Sequence, residues 1–189
     1  MSAWFEGPDE KSWTPSESLQ INRSASLPLK HINKRMARRL SPLTKMTIEM
    51  AWSQHEHAQP INYMVFSSRH GEIQTSTELI DLIWKDELLS PMKFSQSVHN
   101  TSAGQFSIFK KEKAPSTSIA AGENSFLTGL WVAGNYQKLN PTQSILYVFS
   151  DRNLPERYLN TQDKNLDSQS WVLAVILSPT GLTLSLIHI

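Results

Sequence analysis

Glu123 stands at a turn between a strand and a helix. It follows a strand-like run over residues 117–121 and a glycine, Gly122, and it precedes a helical pattern over residues 125–137. A turn that ends a strand and starts a helix leaves free backbone N–H groups, and the positive end of the helix dipole, aimed at one side chain. Such a place lowers a thiol's pKa and makes it a nucleophile, and it favours a carboxylate equally. No thiol is present to use it. The 189 residues contain no cysteine, which removes thiolate catalysis, disulfides and cysteine-bound zinc. Read alone, Glu123 is also an ordinary first-turn glutamate steadied by the dipole.

Four other groupings have chemistry to offer. His99 and Asn100 either line a pocket or cap the segment that follows through bonds to its backbone. His55, Glu56 and His57 lack a third metal ligand and the helical spacing of a metal pair, so they read as a solvated helix end. Lys34, Arg35, Arg38 and Arg39 form either a landing surface for an acidic protein or a solvated helical face. Arg69, His70, Gly71 and Glu72 follow an apolar strand at its C-terminal end, the edge where α/β proteins bind ligands, although Gly71 alone accounts for a turn.

The elements that must position these residues show in the periodicity. Ser41 and Pro42 are an N-cap and first-turn pair, and Leu43, Met46, Thr47, Met50 and Ala51 continue at helical spacing to about Gln54. Residues 61–66 read as a strand, and 76–88 as a second helix with Leu79, Ile80, Ile83 and Trp84 on one face. A short segment at 105–109, a break through Pro115 and the strand at 117–121 come next. In the helix of residues 125–137, Phe126, Leu127, Leu130, Trp131 and Gly134 are expected to pack inward. The apolar runs 144–149 and 171–177 suit strands buried on both faces, joined by a polar loop over 151–170. Strands alternating with helices imply an α/β fold with parallel pairing. Residues 1–26, with Trp4, Phe5 and Trp13 among prolines and serines, have neither period and read as an irregular lead-in.

The residues from 94 to 130 carry a resemblance. Of its two motifs, SVHNTSAGQFSI and APSTSIAAGENSFLTGL, the second resembles the strand, elbow and helix of the ketoacyl synthases and thiolases. Pro115 and Ser116 begin the strand, Gly122 enters the elbow, and Glu123 takes the place of the nucleophilic cysteine before Asn124 and Ser125. Together with RHGE at 69–72, these motifs are similar to the cysteine-less, single-half ketoacyl-synthase-like subunits of aryl polyene and type II polyketide pathways, the chain-length factors. The resemblance implies a thiolase-like half-domain with a mixed, mostly parallel sheet over residues 27–183. It implies a heterodimer with a catalytic ketoacyl synthase subunit, shaping the tunnel for a chain delivered on an acyl carrier protein, without a cofactor. It also implies a dimer strand of Ser116, Thr117, Ser118, Ile119, Ala120 and Ala121, pairing across a two-fold.

Condensation by this chain alone is not expected, since the family's reaction needs the cysteine and two histidines from a second half that the 189 residues do not hold. The alternatives are a malonyl-thioester decarboxylase working through the degenerate elbow, and a homodimeric acyl-binding module. A net charge of +1 gives no general case for nucleic acid or an anionic membrane surface. Glu6, Asp9 and Glu10 stand where a secretory signal needs basic and apolar residues, and the run 171–177 is too short to span a bilayer, so a cytoplasmic protein is expected. Residues 184–189 read LSLIHI, the translation of a transposon-end sequencing adapter. They are therefore expected to be adapter-encoded, with the natural frame continuing past Thr183; the alternative is a genuine apolar C-terminal strand, which Leu184, Leu186 and Ile187 would suit. Sequencing the gene from primers outside it decides this: a stop codon directly after Ile189 in genomic DNA would contradict it.

Overall fold

The computed structural model describes residues 22–23, 29–56, 60–158, 170–179 and 181–188. Trp4, Phe5, Trp13 and His57 lie outside them, as does most of the polar loop after residue 158. Six strands, β1 (Asn22–Arg23), β2 (Ile61–Ser67), β3 (Ser116–Ile119), β4 (Ser144–Asp151), β5 (Trp171–Ser178) and β6 (Gly181–His188), form one sheet in the order β1-β6-β5-β4-β2-β3. The β1–β6, β2–β4 and β2–β3 pairs are parallel, while β4–β5 and β5–β6 are antiparallel. This is the mixed, mostly parallel α/β sheet expected. β1 lies within the stretch read as irregular, and residues 184–188 belong to β6.

Helices α1 (Lys34–Ala37), α2 (Pro42–His55), α3 (Ile73–Trp84), α4 (Pro91–Ser95), α5 (Thr101–Lys110) and α6 (Ser125–Leu139) complete the chain. The period-2 alternation of the inner strands divides the core in two. Met64, Phe66, Leu146, Val148, Val172, Ala174 and Ile176 pack on one face with Met46, Met50, Ala103 and Phe106, from α2 and α5. Val65, Ile145, Tyr147 and Val175 face the other way, toward Ala133 and the α6 side chains Phe126 and Leu130. The apolar runs 144–149 and 171–177 are thus buried on both faces, as their composition indicates.

The start of α2 follows its signal: the Ser41 hydroxyl accepts the Thr44 N–H at 2.9 Å, and Pro42 occupies the first turn. Elsewhere the elements depart from the reading above. α3 begins at Ile73, directly after the left-handed Gly71 and Glu72, and ends at Trp84 rather than near residue 88. Its apolar stripe is real but mostly uncovered. Leu79 is buried, whereas Ile83 is 60% and Trp84 84% exposed, because periodicity sets a helix's stripe but not whether another element covers it. The segment at 105–109 is part of α5, whose period is blurred by the small and polar residues Thr101, Ser102, Ala103 and Gly104 at its start.

In α6 the inward face differs by one position from the expected one. Phe126, Gly129, Leu130 and Ala133 face the sheet, while Leu127 and Trp131 are exposed and Gly134 faces open space. Gly129 sets how closely the helix approaches. A Cβ there would lie 2.6 Å from Tyr147 Cε2 and 2.7 Å from Ser67 Oγ. Tyr147 cannot yield, since its hydroxyl donates to the Phe126 carbonyl at 2.6 Å and lies 2.9 Å from Ser67 Oγ.

Candidate functional site

The candidates of residues 69–72 and of the elbow lie at the C-terminal ends of the parallel strands β2 and β3, next to the end of β4. After β2 the chain turns through Ser68, Arg69 and His70 into Gly71, which takes a φ of +55. Asp151, the last residue of β4, fixes this turn. Its Oδ1 accepts the Ser68 hydroxyl at 2.6 Å, the Arg69 N–H at 2.9 Å and the His70 N–H at 3.1 Å, and Oδ2 lies 3.0 Å from the Arg69 N–H. Ser68 Oγ in turn accepts the Gly71 N–H at 2.7 Å. The next residue, Glu72, is buried and ties three hydroxyls: Ser41 at 2.5 Å, Thr44 at 2.7 Å and Thr75 at 2.9 Å. Two buried carboxylates therefore weld the β2–α3 turn to β4 and to the start of α2.

His99 closes the same turn from the α4–α5 side. Its Nε2 lies 3.1 Å from the Ser68 carbonyl, and its ring lies so close to Gly71 that a Cβ there would meet Cδ2 at 2.9 Å. Asn100 is the N-cap residue of α5, yet its side chain makes no capping bond.

After β3 comes the elbow. Ala120 and Ala121 lie beyond the end of the strand, and Gly122 takes a φ of +55 into a 3₁₀ turn, Gly122–Asn124, that runs directly into α6. Ser125 holds it together: its buried hydroxyl donates to the Gly122 carbonyl at 2.7 Å and accepts the Ala121 N–H at 2.9 Å. The Asn124 N–H bonds the Ala121 carbonyl at 3.1 Å. Glu123 projects outward, its side chain 80% exposed, with the Arg69 guanidinium 3.8 Å away. That long contact is a loose, solvated ion pair, worth at most about 1 kcal/mol. The elbow is thus fully built around a residue that presents a carboxylate to its surroundings. Asp151 was not among the residues singled out in the sequence, where only its place at the end of an apolar run hinted at its role; Ser125 was named as part of the elbow, but its clasp was not foreseen.

The basic group lies apart from the elbow. Lys34, Arg35, Arg38 and Arg39 are all exposed, and Arg38 and Arg39 border a cleft of about 240 Å³ together with Ser41, Glu78, Lys93 and Arg152. Glu78 and Lys93 pair across it at 2.8 Å. Burial holds Arg152 below the usual arginine range, against the opposing pull of Glu72 and Glu78. Among the described residues no group of three histidine, aspartate or glutamate side chains is placed to hold a metal ion. No helix among them is long and apolar enough to cross a membrane.

His55 is buried inside the fold rather than in a solvated helix end. Its Nε2 lies 2.5 Å from Glu112 Oε2, locking the end of α2 to the connection that enters β3. Burial alone would raise the Glu112 pKa, but the bonds from His55 and from the Ala114 and Lys113 N–H groups outweigh it and hold the carboxyl below its ordinary value of 4.5. A depressed folded-state pKa adds stability above the unfolded value and loses it as pH falls through the folded one. Glu112→Gln is therefore expected to lower stability at pH 7 by about 1–2 kcal/mol. It should also flatten the loss of stability below about pH 4.5. Urea unfolding between pH 3 and 7 measures both; parallel curves for the two proteins would contradict the assignment.

Comparison with known proteins places the whole chain. Residues 10–188 match the family profile of the beta-ketoacyl synthase N-terminal domain. No curated protein matches the sequence. Among solved structures, the ketosynthase ApeO in complex with its chain length factor ApeC, from Xenorhabdus doucetiae, matches with a TM-score of 0.74 at 25% identity, covering 89% of this chain and 69% of that one. The ishigamide ketosynthase/chain length factor matches with a TM-score of 0.59 at 13% identity, over 75% of this chain and 45% of that one. A beta-ketoacyl synthase from Burkholderia phymatum STM815 matches with 0.53 at 10%, over 67% and 34%. The last two likenesses concern the fold alone.

Proposed function

We propose a function from the premise that this chain belongs to the beta-ketoacyl synthase N-terminal domain family: it is a non-catalytic, chain-length-determining partner of a catalytic ketoacyl synthase subunit in acyl-carrier-protein-dependent elongation. The observation that carries this reading is the elbow. Its glycine, its 3₁₀ turn, its serine clasp and its helix are complete, yet Glu123, the residue that the family resemblance puts at the position of attack, carries a carboxylate, and the 189 residues hold no cysteine. A carboxylate has no thiol to form the acyl thioester from which condensation starts. What remains useful is the shape of the domain.

β3 supports the partner role. It is the last strand in the sheet order, bonded to β2 on one side only, and its residues carry neither charge nor proline. Proteins seldom leave such an edge uncovered. α5 and α6 flank it with exposed Ile108, Leu127 and Trp131, the kind of apolar surface that marks an interface. The solved complex at 25% identity is a ketosynthase bound to a chain length factor. The exposed cations Lys34, Arg35, Arg38 and Arg39 suit the approach of an acidic carrier protein. Co-expression with a candidate catalytic subunit tests the proposal. A single species with the mass of one copy of each is expected, and separate elution of the two proteins would refute it.

A further inference from the structure

Among the described residues Arg152 is a cation without a paired carboxylate. It follows Asp151 at the exit of β4 and is half-buried, yet it joins none of the ion pairs found there. Its Nη1 donates to the Gln74 side-chain oxygen, a neutral acceptor. The Gln74 amide nitrogen in turn donates to the Asn153 carbonyl at 2.7 Å, which fixes its oxygen toward the guanidinium. Taking a charge partly out of water costs free energy unless an opposite charge meets it. A guanidinium held in place by an amide and half withdrawn from water is arranged to receive an anion.

Arg152 borders the cleft of about 240 Å³ whose charged lining is Arg38, Arg39, Glu72, Glu78, Lys93 and Arg152 itself. Both carboxylates are already engaged. Glu72 is buried under the hydroxyls of Ser41, Thr44 and Thr75, and Glu78 pairs with Lys93 at 2.8 Å. Arg38 and Arg39, like Arg152, belong to none of the ion pairs among the described residues. Four cations against two carboxylates leave two positive charges unmatched. The walls are tied together as well. The Gln96 side-chain nitrogen donates to the Arg39 carbonyl, joining α4 to the segment that carries the arginines, and Asp151 joins the exits of β2 and β4.

We propose that this cleft binds the phosphate group of a small phosphate monoester, with Arg152 as the fixed anchor and Arg38 and Arg39 completing the site from the rim. A surplus of two positive charges matches the dianion that a monoester becomes near neutral pH, its second pKa being about 6. A carboxylate offers one charge and two oxygens, enough for a single guanidinium fork, whereas a phosphate offers three terminal oxygens and serves several. The cleft is smaller than the roughly 300–1,000 Å³ of pockets for drug-sized ligands, so it has room for phosphate with a short organic group rather than for a nucleotide. The site lies apart from the elbow, and the inference does not rest on the partner role.

Calorimetric titration of the full chain in low-salt buffer at neutral pH tests this, with glycerol phosphate as the monoester, inorganic phosphate as the bare group and dimethyl phosphate as the singly charged diester. Glycerol phosphate should bind one to one with a Kd of about 1 mM or tighter. Dimethyl phosphate should bind at least about tenfold more weakly, having lost one of two charges. Inorganic phosphate matching glycerol phosphate would show that the phosphate group alone is read, and weaker binding that the organic group is read too; either supports the site. Arg152→Met should weaken glycerol phosphate at least about tenfold. Its ligand-free melting temperature should stay within about 3 °C of the native one, because the change removes an uncompensated charge and no ion pair. Should that variant fail to fold, Arg152→Lys, which keeps the charge and loses the planar fork, reads the same contact as a several-fold loss.

Lys34→Gln is the control, an exposed cation of the same basic group that does not line the cleft, and it should leave the affinity nearly unchanged. Equal losses for Lys34→Gln and Arg152→Met would reduce the effect to general surface charge and overturn the inference. So would dimethyl phosphate binding as tightly as the monoester, or no heat from the native chain at about 10 mM ligand. Because the titration needs no other protein, its failure leaves the partner role standing, and failure of co-elution with a synthase leaves this site standing.

Discussion

Replacing Asp151 by alanine is expected to lower the stability of the fold by about 3–5 kcal/mol, a large share of what a domain possesses. The carboxylate is 8% exposed and accepts the Ser68 hydroxyl and the Arg69 and His70 N–H groups at the exit of β2. Its removal takes the acceptor from all three, and bonds to a charged acceptor are each worth about 1.5–3 kcal/mol net. A domain of this size loses roughly 2–4 °C per kcal/mol, so the melting temperature should fall by about 10 °C. Asp151→Asn keeps one oxygen acceptor and should lie between the two. A thermal scan of the three proteins gives the order, and a shift of less than about 2 °C for alanine would show that the turn holds without its carboxylate. The consequence extends to the candidate site, because Arg69, the cation facing Glu123, is positioned by this turn.

Ser118→Pro is expected to abolish assembly through β3 while leaving the isolated fold nearly intact. The Pro115 and Ile119 carbonyls accept the Met64 and Ser68 N–H groups, so by the alternation along a strand the Ser118 N–H points away from β2; proline there removes no ladder bond within the sheet, and an edge strand tolerates it. It does remove an N–H donor from the open edge and puts a ring in the path of an incoming strand. An affinity loss of 100-fold or more for the catalytic subunit, with a melting temperature changed by only a few degrees, is the expected result. Thr117→Pro is the contrasting substitution. The Thr117 N–H faces β2, so that change should unfold the edge as well as the complex. Ile119→Lys is a poorer probe, because Ile119 packs against the α6-side core and its replacement mixes folding with docking. If titration by fluorescence anisotropy showed the Ser118→Pro and native proteins binding alike, β3 would not be the docking edge.

How much of this was legible in the sequence varies with the physics of each part. α2 was, because a serine cap, a first-turn proline and an unbroken apolar stripe agree. β2, β4 and β5 were, because runs such as residues 144–149 are too short for helices and too apolar for a single buried face. α5 was not: two buried apolar residues, Ala103 and Phe106, among serine, threonine and glycine leave too faint a period. The inward face of α6 was misjudged because Gly129 is the point of closest approach, and hydrophobicity gives no sign of a contact made by having no side chain.

The elbow was legible as a pattern of small residues around Gly122, but its clasp was not. Ser125 reaches back to Ala121 and forward-facing Gly122 through bonds that only the folded turn creates. Asp151 was missed, and the anchoring role of Glu72 with it, for a related reason: each binds groups far away in the chain, Asp151 to residues 81–83 positions earlier and Glu72 to Ser41, 31 positions earlier. His55 lies within a group that reads as solvated, yet its partner Glu112, 57 residues on, makes it a buried clamp.

The central claim is that the domain shapes the product without forming a bond itself. The most direct test is the product profile of the catalytic subunit, supplied with starter and malonyl groups on the acyl carrier protein, with and without this chain. The account predicts that the chain alone releases no condensed product, that adding it to the synthase shifts the distribution to a defined length, and that Glu123→Ala preserves that shift. An unchanged distribution on adding the native chain, with the two proteins demonstrably bound, would contradict it.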